Sequence, residues 1–146
     1  MTISDSGFKG ERETDVSGDT IAKMIMDSNL SVVKRDMVPD ETQSIADTLR
    51  LWCDSGEIDV VLTTGGTGLG PRDVTPEATK SILDIEVPGI AEVMRMKTFE
   101  ITPYAMLSRS TSGVRSGCLI INLPGSPKAV RECLEVVLPS IPHGLQ

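Results

Sequence analysis

The chain has 146 residues, 39% hydrophobic and 24% charged, which suits one domain with a buried core. A formal net charge of −7, with Lys and Arg never gathered into a basic face, excludes bulk electrostatic binding to nucleic acid or anionic lipid. Aromatics supply only 3%, so aliphatic side chains and Met must fill the core.

Met1-Thr2-Ile3 precedes the small polar cluster Ser4-Asp5-Ser6-Gly7, which is too little chain for a buried strand. The first strand is therefore expected to be truncated, with the natural chain starting several residues earlier. Ser17-Gly18 opens a helix with Ile21, Met24, Ile25 and Ser28 at helical spacing. Val32 to Val38 reads as a weak strand that stops at Pro39. Asp40 followed by Gln43 resembles an N-terminal box, and Ile45, Leu49, Trp52 and Cys53 then share one helix face. Ile58 to Thr63 is a short run rich in β-branched residues, a buried strand. Thr75-Pro76 starts a helix to about Leu83, and Ile90 to Met106 is more apolar than a lone surface helix needs. Cys118 to Leu123 is a second buried strand. Ser126-Pro127 opens a helix whose inner face carries Val130, Cys133, Leu134, Val137 and Leu138. Strands alternating with helices predict a doubly wound α/β domain over residues 1–146. Its sheet is mainly parallel with helices on both faces, three α/β/α layers.

Cys53, Cys118 and Cys133 lie apart in apolar stretches with no CxxC spacing, and read as small buried hydrophobes. His143 has no second histidine to build a zinc site. No apolar run approaches the ~20 residues of a membrane span, and no basic-then-apolar leader opens the chain, so a cytoplasmic protein is expected.

Ligands of such sheets bind beyond the carboxyl ends of the strands. Three segments end there. Thr63-Thr64-Gly65-Gly66-Thr67-Gly68-Leu69-Gly70-Pro71-Arg72-Asp73 carries four glycines, which allow tight turning and leave backbone N–H groups for phosphate. The segment is neither a Walker A loop nor a dinucleotide fingerprint. Leu123-Pro124-Gly125-Ser126-Pro127-Lys128 runs from a strand into a helix N-terminus suited to an anion. Lys128 opposes the dipole there unless a negative ligand is near. In Ser4-Asp5-Ser6, Asp5 suits a polar ring or a metal. Asp40 and Asp73, at neighbouring strand ends, suit Mg²⁺ shared with a nucleotide polyphosphate, although Asp40 is equally a plain helix cap.

These segments resemble the molybdopterin adenylyltransferase family, which includes the G domains of gephyrin-type proteins. The resemblance rests on Thr63 to Gly68 with Pro71 to Thr79, on Ser4 to Ser6 with Asp15-Val16-Ser17-Gly18, and on Val38-Pro39-Asp40. Leu123 to Val130 and Leu138 to His143 extend it, so nearly the whole chain is covered in order. It implies a homotrimer that binds molybdopterin and ATP, transfers AMP to the pterin's phosphate and releases pyrophosphate. It further implies transient contact with the molybdenum-insertion enzyme. Asp40 and Asp73 match the essential carboxylates and are assigned as Mg²⁺ ligands. Thr64, Gly65, Gly66, Thr67 and Gly68 match the nucleotide-facing loop, to which the site assignment adds Arg72. Ser126-Pro127 match the second ligand loop, assigned here as Gly125 to Lys128 and joined by Ser4, Asp5 and Ser6 on the pterin side. A molybdopterin carrier of the same fold without turnover is the alternative, and so is a different enzyme of that fold, a competence-damage-type nucleotide hydrolase or a molybdenum-insertion domain.

Overall fold

The computed structural model describes residues 1–146. Six strands form one sheet in the order β2-β1-β3-β6-β5-β4. These are β1 (Thr2–Ile3), β2 (Met37–Val38), β3 (Val60–Thr64), β4 (Ile85–Glu86), β5 (Ser112–Arg115) and β6 (Cys118–Leu123). The four strands β2, β1, β3 and β6 run parallel, and β5 and β4 add an antiparallel edge. The helices are α1 (Asp5–Phe8), α2 (Val16–Asp27), α3 (Thr42–Asp54), α4 (Thr75–Lys80), α5 (Pro88–Phe99), α6 (Pro127–Val137) and α7 (Ile141–Gly144).

Strand alternation divides the core in two. Val61 and Ile120, paired across β3 and β6, face one way and pack with Ile45, Leu49 and Trp52 of α3 and Ala78 of α4. Leu62 and Ile121, one residue on, face the other way and meet Ala91 and Met94 of α5 and Val130, Cys133, Leu134 and Val137 of α6. Ile21, Met24 and Ile25 of α2 cover the same side. The three expected layers follow from this. At the carboxyl end the strands turn polar. Buried Asn122 donates through Nδ2 to the hydroxyls of Thr63 and Thr79, and its Oδ1 accepts from the Thr111 N–H. That network ties β3, β6, α4 and the chain entering β5 together beneath the loops that follow β3 and β6.

Several expectations need correction. Thr2–Ile3 do form a strand with Ile3 buried at 3% exposure, held where Thr64 N donates to Met1 O and Thr2 N donates to Asp36 O. The strand expected over Val32 to Val38 contracts to Met37–Val38, because β1 offers only two residues to pair with and Val33 stays exposed. Asp40 does not cap α3. Glu41 holds that position without a side-chain hydrogen bond, and the Gln43 amide goes to Asp47. α2 begins at Val16, one residue before Ser17, and Asp15 caps it by accepting from Gly18 N. Val74 precedes α4, which stops at Lys80 rather than near Leu83, and Thr75 lies within its first turn. Ser126 caps α6 as expected, its Oγ accepting from Ala129 N. The antiparallel edge arises from Ser116-Gly117, whose φ values of 48° and 78° make the two-residue turn that suits a hairpin. The three cysteines are buried and unpaired in disulfides, and no helix is long and apolar enough to cross a membrane.

Candidate functional site

The carboxyl ends of β1, β3 and β6 open onto a polar cleft of about 830 Å³. The Gly65–Asp73 loop leaves β3 and meets the loop after β6 at several points. Gly65 N donates to Leu123 O at 3.3 Å, and the Thr64 hydroxyl donates to Pro124 O at 2.6 Å. Gly65 carries a φ of +102°, and a Cβ there would stand 2.3 Å from Ile3 O, so only glycine lets these strand ends approach. Gly66 likewise has φ +69°, and a Cβ would meet the Thr75 hydroxyl and approach Asp40 Oδ1 at 3.2 Å. Thr75 Oγ1 donates to Gly65 O and closes the loop base.

With the loop shaped this way, the N–H groups of Gly66, Thr67 and Gly68 donate to no acceptor within the protein. Those of Gly125 and Ser126 are equally unpaired. Gly66, Gly125 and Ser126 line the cleft, so residues with unpaired N–H groups meet there from two strand ends. This is the backbone arrangement that receives an anion.

The carboxylates stand around it. Asp40 Oδ2 accepts from Asp5 N at 2.8 Å, and Asp40 N donates back to Asp5 Oδ1 at 3.0 Å. Burial pushes the Asp40 carboxyl above the usual range, and the negative charges of Asp5 and Asp73 add to that shift. Asp73 turns back on its own loop, Oδ2 accepting from Gly70 N at 2.9 Å. Both carboxylates line the cleft. No group of three His, Cys, Asp or Glu side chains forms a metal cage. Two carboxylates completed by phosphate oxygens nevertheless make a donor set that fits Mg²⁺, which favours few protein ligands.

Arg72 and Asp5 meet in an unforeseen way. Arg72 Nε and Nη2 donate to the two oxygens of Asp5 at 2.9 and 3.0 Å, holding the Asp5 carboxyl below its usual range. Neither residue lines the cleft here, and the Arg72 charge is directed to Asp5. The remaining expected residues divide similarly. Ser4, Thr64, Gly65, Gly66, Gly125, Ser126 and Pro127 line the cleft, whereas Ser6, Thr67, Gly68 and Lys128 do not. Lys128 is 81% exposed and nearest Glu132, so it offsets no charge inside.

Arg12, Glu13, Asp15 and Ser17, none of them among the expected site residues, also line the cleft. Ser17 Oγ donates to Gly125 O at 2.6 Å and so positions the second loop. The readable signal was the run Asp15-Val16-Ser17-Gly18 within the family resemblance. Arg109 was missed as well. Its guanidinium donates to Gly68 O and Asp73 O at 2.8 and 2.6 Å and pairs with Glu77.

Residues 1–143 match the family described as "Probable molybdopterin binding domain". The chain is 44% identical over 145 residues to the molybdopterin adenylyltransferase of Helicobacter pylori strain J99, covering 98% of this chain and 82% of that protein. Among solved structures it superposes with a TM-score of 0.92 on the molybdopterin biosynthesis enzyme MoaB of Thermus thermophilus, at 52% identity, covering 99% of this chain and 90% of the other. The tungsten cofactor synthesizing protein MoaB of Pyrococcus furiosus superposes at 0.85 with 38% identity, covering 97% and 89%. A family match over residues 1–143, 44% identity to a relative covered to 82% of its length, and close superposition on solved members agree: this chain belongs to the molybdopterin-binding family of molybdenum cofactor biosynthesis proteins.

Proposed function

We propose that this protein is a molybdopterin adenylyltransferase, which transfers AMP from ATP to the terminal phosphate of molybdopterin and releases pyrophosphate. The observation that carries the reading is the placement of Asp40 and Asp73 around a glycine loop whose N–H groups are free. A carrier needs the N–H groups to hold an anion but has no use for two carboxylates beside them. Transfer between two anions does, because a divalent cation must be held where the phosphates meet.

The chemistry asks little covalent work of the protein. An oxygen of the pterin's phosphate attacks the α-phosphorus of ATP, the bond from that phosphorus to the α,β-bridging oxygen breaks, and pyrophosphate leaves with the electron pair. No serine, cysteine or histidine nucleophile is required. The N–H groups of Gly66, Gly125 and Ser126 orient the phosphates and take up part of their charge. Asp40 and Asp73 would hold Mg²⁺, which when bound neutralises phosphate charge. The Thr64, Ser17 and Thr75 hydroxyls, each committed to a backbone carbonyl, keep the two loops in register.

We further place the protein in the cytoplasm as a homotrimer, in transient contact with the enzyme that inserts the metal. Support for self-association comes from the end of α5 and the turn after it. Phe99, Ile101, Tyr104, Met106 and Leu107 are 48–77% exposed within about ten residues, more apolar surface than a monomer usually leaves in one place. The experiment is incubation with molybdopterin, ATP and Mg²⁺, following pyrophosphate and adenylated pterin together. Pterin bound at stoichiometry without pyrophosphate would replace this reading with the carrier.

A further inference from the structure

Arg109 lies outside every strand and helix and does not line the candidate cleft, yet it makes a dense set of contacts with the glycine loop. Its backbone N–H donates to Thr67 O at 2.9 Å. Its Nε donates to Gly68 O at 2.8 Å, and its Nη2 to Asp73 O at 2.6 Å. Nη1 pairs with the carboxylate of Glu77, on α4. One side chain thus spans the loop from Gly68 to Asp73, while within the span Asp73 N donates to Gly70 O and Gly70 N donates to Asp73 Oδ2.

From this geometry we infer that Arg109 is a positioning residue for adenylyl transfer, acting from behind the loop to hold the Asp73 carboxylate toward the cleft. The inference rests on the adenylyl-transfer reading. The loop needs such a device. Leu69 is 68% exposed, no strand or helix runs through Gly65 to Val74, and four glycines give the chain wide freedom. Only a planar guanidinium has donors fixed in a fork able to reach two carbonyls and a carboxylate together. A lysine offers one point charge and cannot span them. Glu77 fixes the guanidinium in turn and balances its charge, so Arg109 acts through hydrogen-bond geometry. Because it touches neither the ligand loop after β6 nor α2, its loss should spare molybdopterin binding.

The test compares wild type, Arg109→Ala, Arg109→Lys, Asp73→Asn and the double variant Arg109→Ala/Asp73→Asn. A misplacement of about 1 Å in an aligned site costs on the order of 100-fold. Arg109→Ala should therefore lower kcat by about 30- to 100-fold with the KM for molybdopterin within twofold. Arg109→Lys should lie near Ala, and millimolar guanidinium should restore part of the activity of Arg109→Ala. Hydrogen exchange should show faster exchange at the Gly70 and Asp73 amides alone, with Tm little changed. In the Asp73→Asn background the Ala substitution should cost less than threefold, because the group it positions is already gone. An equal loss in both backgrounds, or kcat within threefold of wild type with Gly70 still protected, overturns the inference. Should Arg109→Ala fail to fold, the lysine variant carries the same comparison. If wild type transfers no AMP, the functional reading fails separately, and the Gly70 exchange rate still reports whether Arg109 holds the loop.

Discussion

Replacing Gly65 by alanine should strike the contact on which the cleft depends. Two costs can be separated. The backbone sits at φ +102°, where an L side chain is strained by about 1–2 kcal/mol. The added Cβ would also lie 2.3 Å from Ile3 O, a backbone atom that cannot swing away as a side chain would. Moving β1 aside by an ångström resembles overpacking a core, worth about 1–3 kcal/mol. The sum is about 2–5 kcal/mol. Gly10 supplies the control. It has φ +74°, and a Cβ added there would have nothing within 4 Å, so Gly10→Ala should show the backbone cost alone. Urea unfolding of both variants, with m unchanged, measures the difference directly. If Gly65→Ala and Gly10→Ala lose the same stability, the strand ends do not touch as described and the steric argument is wrong.

Asp40→Asn should be more stable than wild type near neutral pH while losing adenylation. Burial, aided by Asp5 and Asp73, raises the pKa of native Asp40, so the folded state holds that proton more tightly than the unfolded chain. Its ionisation therefore destabilises the fold as pH rises above about 4, and removing the charge should raise Tm at pH 7, with the gain fading toward pH 3–4. Thermal scans at both pH values check the sign. Asp73→Asn should keep its circular dichroism and lose about 100-fold or more in turnover, and near-normal turnover would remove Asp73 from the mechanism. Light scattering should give three times the 15.7 kDa chain mass, and Ile101→Glu, in the exposed apolar segment, should yield monomers; a wild-type monomer refutes the assembly.

What was readable in the sequence was whatever depends on neighbours along the chain. Ile45, Leu49, Trp52 and Cys53 on α3, and Val130, Cys133, Leu134 and Val137 on α6, repeat at helical spacing and are all buried. Ser126 caps from three residues away. The partners that escaped are remote. Asp40 looks like a local cap, but its carboxylate accepts from Asp5 N, 35 residues distant, and Arg72 reaches Asp5 across 67. Nothing in Ser112-Gly113-Val114-Arg115 suggests a strand, and only the Ser116-Gly117 turn folds it against β6. β1 is two residues long, below the length at which alternation carries any signal, and the shortness of its partner at Met37–Val38 follows from it. Arg109 bonds mainly to carbonyls, which every residue has, so no pattern of side chains could announce it.

The central claim is that AMP moves from ATP to the pterin, and the fate of the α-phosphorus decides it. Wild-type protein, molybdopterin and Mg²⁺ should be incubated with ATP labelled at the α-phosphate and, separately, at the γ-phosphate. The account predicts that α-label appears in the pterin in proportion to pyrophosphate released, that γ-label leaves wholly in pyrophosphate, and that Asp73→Asn does neither. Label from the γ-phosphate in the pterin, or pterin bound tightly while both labels remain in ATP, would contradict it.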